Sequence, residues 1–134
     1  MNVEHNKKTV LEFLDRFSAG DVPGVLGLMG DTATWKVMGR EGELPLSGEM
    51  DKDGIARLMD TVKDKLPQGM KLTPTGWTAE GNRVAVEVES FGRKANGTIY
   101  QNLYHFLFEL TDGQITLIRE YKDTLHVKSV FLDG

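Results

Sequence analysis

Thr98-Ile99-Tyr100-Gln101-Asn102-Leu103-Tyr104-His105-Phe106-Leu107-Phe108-Glu109-Leu110 reads as one long strand with no purely polar face. Tyr100, Asn102, Tyr104, Phe106 and Phe108 alternate onto one side. Ile99, Gln101, Leu103, His105, Leu107 and Glu109 alternate onto the other. A strand that is apolar on both sides is covered on both. Downstream, Asp112-Gly113 is a hairpin signal, because both positions tolerate positive φ. It leads into a second run, Gln114 to Lys122. Upstream, Met70 to Thr78 and Arg83 to Phe91 share the same period of two, joined by Glu80-Gly81-Asn82. Short connections between consecutive strands predict an antiparallel meander.

The first half has a different period. Val10, Leu11, Phe13, Leu14 and Phe17 recur at three and four residues and predict a helix over 6–18. Asp21 and Pro23 start a second, shorter helix that ends at Gly30-Asp31. Ala33 to Met38 predicts a short strand, and Gly39 to Gly48, with three glycines and Pro45, a loop. Asp51 or Asp53 caps a third helix over 53–65, closed by Pro67-Gln68-Gly69. Thr124 to Phe131 is a last short helix or strand. Helices first and an antiparallel sheet second give an α+β class, with helices on one face of a curved sheet. The helices cover one face only. A second copy of the chain is therefore expected on the outer face, through Leu103, His105 and Leu107, as a homodimer.

A chain of 134 residues is expected to be a single domain, 1–134. With 40% hydrophobic and 27% charged residues it has enough apolar surface for a core and is not disordered. There is no cysteine, which excludes disulfides, thiolate zinc and a cysteine nucleophile. A net charge of −4 without a basic stripe argues against nucleic acid. No apolar run reaches the roughly 18 residues of a membrane span. Met1-Asn2-Val3-Glu4-His5 is too polar for a secretory signal, so the cytoplasm is the expected setting.

Two carboxylates stand out in Val84-Ala85-Val86-Glu87-Val88-Glu89. Glu87 and Glu89 share one face of the strand, and that face is either solvated or turned into a cavity. In a cavity, desolvation would raise their pKa values and suit them to proton transfer.

Several segments together resemble a known family. They are Trp35 and Gly39; Pro45-Leu46-Ser47-Gly48; Val86-Glu87-Val88-Glu89; Tyr100-Gln101-Asn102-Leu103-Tyr104-His105-Phe106; Asp112-Gly113-Gln114-Ile115; and Arg119-Glu120-Tyr121-Lys122-Asp123-Thr124. Their order is similar to the SnoaL-like branch of the nuclear transport factor 2-like superfamily. That superfamily includes ketosteroid isomerases, small polyketide cyclases and limonene-epoxide hydrolases. The resemblance covers about residues 5–131. It implies a cone-shaped sheet wrapped around the N-terminal helices, a pocket inside it, and a dimer. It also implies a pocket carboxylate as base, with no metal and no cofactor.

Residue by residue, Glu120 matches the base on the last strand, and Asn102 and Tyr104 match polar pocket positions. Trp35 matches an aromatic at the pocket mouth. Glu87 and Glu89 stand where the epoxide hydrolases carry an arginine and an aspartate, and the missing arginine removes the group that orients that acid. Glu120 is the expected base, oriented by Asn102 or Tyr104, and Glu89 the second carboxylate. Glu87, Tyr100, Phe106 and Ile118 complete the expected pocket lining. A pocket carboxylate walled by Trp35 and phenylalanines should be poorly solvated, with a raised pKa.

The period alone leaves Glu120 undecided. It shares a face with Ile118 and Thr116, while Arg119 and Tyr121 share the other with Leu117 and Ile115. Pairing with Arg119 or Lys122 is the structural alternative to catalysis. His105 and Glu109 are about 13 Å apart along the strand and cannot share a metal. Asn96-Gly97-Thr98 fits a turn better than a glycosylation site. The expected function is cofactor-independent proton abstraction next to a carbonyl on a small hydrophobic cyclic ligand, of isomerase or cyclase type. Epoxide-hydrolase-like water activation, a non-catalytic binder of hydrophobic ligands and an interaction module using the outer sheet are the alternatives.

Overall fold

The computed structural model describes residues 2–40 and 48–133. The expected loop is described at Gly39, Arg40 and Gly48; its remainder, with Pro45, Leu46 and Ser47 of the quoted motif, lies outside the described residues. Three helices, α1 (Val3–Ser18), α2 (Val22–Gly27) and α3 (Lys52–Lys65), come from the first half. Asn2, Asp21 and Asp51 cap them, each accepting a backbone N–H three residues on. Between them lie β1 (Met29–Val37) and β2 (Gly48–Met50). The second half supplies β3 (Met70–Glu80), β4 (Arg83–Arg93), β5 (Ile99–Tyr100), β6 (Leu103–Thr111) and β7 (Gln114–Lys122). A short helix, α4 (Thr124–Val127), and a π-helical turn over Lys128–Leu132 follow.

The strands form one sheet in the order β2-β1-β7-β6-β4-β3, with β5 on β4. The expected meander holds for β3 to β7, all antiparallel. It does not extend to β1, which lies parallel to β7, with Trp35 beside Ile118 and Val37 beside Glu120. The helical segments between β1 and β3 make a parallel return possible. The sheet curves around α1, whose Val10, Phe13, Leu14 and Phe17 are buried in its hollow. Phe13 touches Trp35 and Phe108 at ring distances of 5.7 and 5.4 Å.

The single strand expected over 98–110 is two strands on one ladder. Tyr100 faces Gly92 and Leu103 faces Glu89, so the register is unbroken across the gap. At the interruption the Asn102 N–H donates to the Ser90 hydroxyl at 3.0 Å instead of to a carbonyl. The faces alternate as expected. Tyr100, Asn102, Tyr104, Phe106 and Phe108 are buried inward, and Leu103 and His105 are exposed on the outer side. Asp112, at φ 51°, and Gly113, at φ 79°, make the left-handed pair that their hairpin requires.

One irregularity decides the site. Between Leu110 facing Ile115 and Glu109 facing Leu117, β7 carries one extra residue, Thr116, whose hydroxyl donates to the Glu109 carbonyl at 3.2 Å. This bulge lets Ile115 and Ile118 both point inward. From Ile118 onward the inward positions are Ile118, Glu120 and Lys122, while Tyr121 is exposed on the outer face.

Candidate active site

A cavity of about 210 Å³ opens between the inner face of the sheet, α3 and the C-terminal turn. Its wall is mostly apolar: Phe17, Trp35, Val37, Leu66, Leu72 and Phe106 below, and Val127, Phe131 and Leu132 from the C-terminal segment above. Among the described residues six polar groups reach it besides the Trp35 indole: Tyr100, Tyr104, Glu120, Lys122 and, at the rim on α3, Lys65 and Thr61, one turn before it. A second hollow, about 240 Å³, lies between the ends of α1 and α3 and shares Phe17, Val62 and Met70 with the first. Among the described residues Lys63 is the one charged group that lines it.

Glu120 is 7% exposed. Its Oε1 accepts from the Trp35 indole N–H at 3.2 Å, and its Oε2 from the Lys122 ammonium at 2.5 Å. Each carboxylate oxygen has two lone pairs, so one on each remains for a ligand proton. The Lys122 side chain is 5% exposed, a buried ion pair rather than a surface one. Trp35 is itself 1% exposed and packs on Phe17 and Phe106. It therefore lines the cavity from its floor, not from the mouth where the resemblance put it.

Beside this pair runs a string of hydrogen bonds. Asn102 Oδ1 accepts from the Leu103 N–H at 2.8 Å, and its Nδ2 donates to the Asp123 carbonyl at 3.0 Å. These backbone partners fix the amide's orientation. The same Nδ2 donates to the Tyr100 hydroxyl at 2.9 Å, which meets the Tyr104 hydroxyl at 2.5 Å. Ser90 also bonds the Tyr104 hydroxyl; three hydroxyls joined by two bonds spend two protons and leave one over. Burial pushes the Tyr104 phenol well above its ordinary pKa, and the nearby Tyr100 and Glu120 add to this. Burial also raises Tyr100, against the lowering effect of its bonds from Tyr104 and Asn102. Both are thus proton donors across the physiological range.

These shifts set an alkaline limit on stability. In the unfolded chain both phenols ionise near pH 10, while the folded protein holds them neutral. Their contribution is constant below pH 10 and is lost as pH rises from there through the higher folded values. Absorbance titration of the folded protein is expected to leave Tyr100 and Tyr104 protonated at pH 10. Ionisation of all three tyrosines near that value, with the fold intact, would contradict the burial described here.

The expected site is partly assembled. Glu120, Tyr104, Tyr100, Trp35 and Phe106 meet in the cavity. Asn102 stands one bond behind Tyr100, and Ile118 is fully buried in the core next to the site without lining it. Glu89 and Glu87 are corrections. Val84, Val86, Val88 and Ser90 take the inward positions of β4, so both carboxylates are exposed on the outer face. There Glu87 lies over Gly76, where an added Cβ would come within 3.0 Å of its Oε1. Glu89 is therefore no second catalytic acid and Glu87 no pocket residue, and the carboxylate pair of the epoxide-hydrolase comparison does not form. Sequence reading missed Lys122 as a pocket group, although a spacing of two from Glu120 on a strand puts both on one face. It also missed Ser90, Lys65 and the covering turn. Among the described residues no group of three His, Cys, Asp or Glu converges on one point, and no helix is long and apolar enough to cross a membrane.

The family model of the SnoaL-like domain matches residues 10–118. Among solved structures, TerC, co-crystallised with polyporic acid, is 24% identical, with a TM-score of 0.82 over 94% of this chain and 97% of its own. A nuclear transport factor 2-like protein from Burkholderia xenovorans LB400 is also 24% identical, with a TM-score of 0.78 over 97% and 98%. A Jannaschia sp. CCS1 protein named as a SnoaL-like polyketide cyclase is 17% identical, with a TM-score of 0.81 over 98% and 94%. At these identities the likeness is one of fold. No curated protein sequence matches the chain.

Proposed function

The chain belongs to the SnoaL-like domain family, and from that membership we propose that it is a small-molecule enzyme working by proton transfer alone. The observation that carries the proposal is a buried carboxylate, Glu120, that shares one apolar cavity with two neutral phenols. Glu120 takes a proton from the carbon next to a ligand carbonyl. The free phenol proton of the Tyr100–Tyr104 pair stabilises the negative charge that develops on the carbonyl oxygen. The proton is then returned at another carbon, which gives an isomerisation; or the carbanion adds to a second carbonyl of the ligand, whose C=O π bond breaks as the C–C bond closes the ring, and the proton goes to the oxygen so freed. The ligand is a small hydrophobic cyclic molecule, and polyporic acid in the related TerC structure is in keeping with such a ligand.

The chemistry is testable without the natural substrate. 2-Tetralone, a bicyclic ketone with acidic protons next to its carbonyl, is incubated with the protein in D2O and followed by NMR. Loss of those proton signals faster than in protein-free buffer of the same pD is expected. A rate equal to buffer, with the ketone in excess of its binding constant, would overturn the proposal.

We further propose that the chain is a homodimer. Phe91, Ile99, Leu103 and Tyr121 are between 42% and 65% exposed on the outer sheet face, an apolar surface suited to a second copy. Sedimentation at micromolar concentration is expected to give a dimer, and Leu103→Lys to shift it towards monomer. A wild-type species of 14.9 kDa would contradict this. The proposed setting is the cytoplasm, which suits a chain that needs no disulfide.

A further inference from the structure

Among the described residues every polar group of the cavity except Glu120 can donate, Lys122 and Lys65 can only donate, and this excess points to the charge of the ligand. Lys122 spends one of its three N–H bonds on Glu120; the other two meet no acceptor among the described residues. The Tyr100–Tyr104 pair leaves one O–H proton over. Tyr104 and Lys122 are direct cross-strand partners on the inner face, so their side chains leave the sheet about 5 Å apart. Lys65, at the rim, forms no ion pair among the described residues. Two ammonium groups against one carboxylate leave the cavity with one net positive charge. The surplus charge is that of Lys65 at the exposed rim, whereas the free N–H bonds of Lys122 are buried, where water competes little for them.

We infer that the cavity selects an apolar ligand bearing an acidic oxygen bound as its anion, a carboxylate or an enolate. The anionic oxygen takes the free N–H of Lys122 and the free phenol proton, while Lys65 adds long-range attraction at the opening. Charge-assisted bonds of this kind form best with an ionised acceptor. A neutral ketone finds the same apolar walls but a weaker hold on its oxygen. This rests on the reading of the cavity as the ligand site, and it names the class of ligand that the site prefers.

The test compares two probes of one shape by calorimetry at pH 7: 2-naphthoate, an anion, and 2-acetylnaphthalene, its neutral counterpart. Naphthoate is expected to bind about tenfold tighter or more. Lys65→Met, at an exposed position that leaves the core untouched, is expected to reduce that preference about two- to threefold. Lys122→Met is expected to reverse it, where that variant folds. Hydrophobicity alone predicts the opposite order, since the ketone is the less water-soluble probe. Binding of the ketone as tight as or tighter than naphthoate would overturn the inference and leave the proton-transfer proposal standing. Binding of neither probe at millimolar concentration would overturn both.

Discussion

Lys122→Met is expected to lower the unfolding free energy by about 3–5 kcal/mol, because it leaves the Glu120 carboxylate buried without its cation. The pair is 5% and 9% exposed at its side chains, so neither group is free to find water in the folded state. The double variant Glu120→Leu/Lys122→Met should behave differently. It replaces both charges by apolar groups in an apolar wall, and such swaps are often neutral or stabilising. Urea unfolding of the two variants, compared at equal m-value, separates the cases. A double variant at least as stable as the wild type means that folding does not require the ion pair. Its retention then follows from what it does to a ligand. If Lys122→Met unfolds at the wild-type midpoint, the pair is not desolvated and the cavity is wetter than described.

Much of the architecture was legible in the sequence because it follows from period and turn chemistry. The step from a helical period to a period of two divides the chain where the structure does. Asp112-Gly113 marks its hairpin through the positive φ that both residues adopt. The inward set from Tyr100 to Phe108 was legible because Asn102 amid four aromatics needs buried partners, and it has them in Tyr100 and Asp123. The parallel contact of β1 with β7 was not legible, since it is fixed by where the helices send the chain.

The site was harder to read for a physical reason. Glu120 had an ambiguous face because the Thr116 bulge reverses the alternation of β7 between Ile115 and Ile118. One extra residue exchanges the two faces, and period counting has no access to a bulge. Glu87 and Glu89 were misplaced in the other direction. Their alternation with valines fits a solvated outer face or a cavity wall, and the structure has the first, while the resemblance favoured the second. Lys122 was considered as a partner for Glu120, which it is, but not as a donor to the ligand. The covering residues Val127, Phe131 and Leu132 come from a segment too short and irregular to show a period.

The fold brings the groups of the proposed acid–base chemistry together. A curved sheet directs side chains from β1, β6 and β7 onto one small volume, and α1 keeps water from its base. Within that volume Trp35 and Lys122 hold the carboxylate at both oxygens. Asn102, tied to two backbone groups, holds the tyrosine string in place. The carboxylate and the donors are thus fixed before a ligand enters; for the proposed reaction this is the condition under which electrostatic stabilisation contributes most.

Glu120→Gln is the second variant with a large expected effect, and it bears on the centre of this account. The amide keeps the shape but has one oxygen, so it can accept from Trp35 or from Lys122 but not from both, and it cannot take a carbon-bound proton. Loss of a positioned general base typically costs ~10²–10⁴-fold. The measurement is the protein-dependent rate of deuterium incorporation into 2-tetralone, by wild type and Glu120→Gln, at equal concentrations of folded protein and bound ketone. The account predicts exchange by the wild type that falls about a hundredfold or more in the variant. Equal exchange by the two proteins would contradict it.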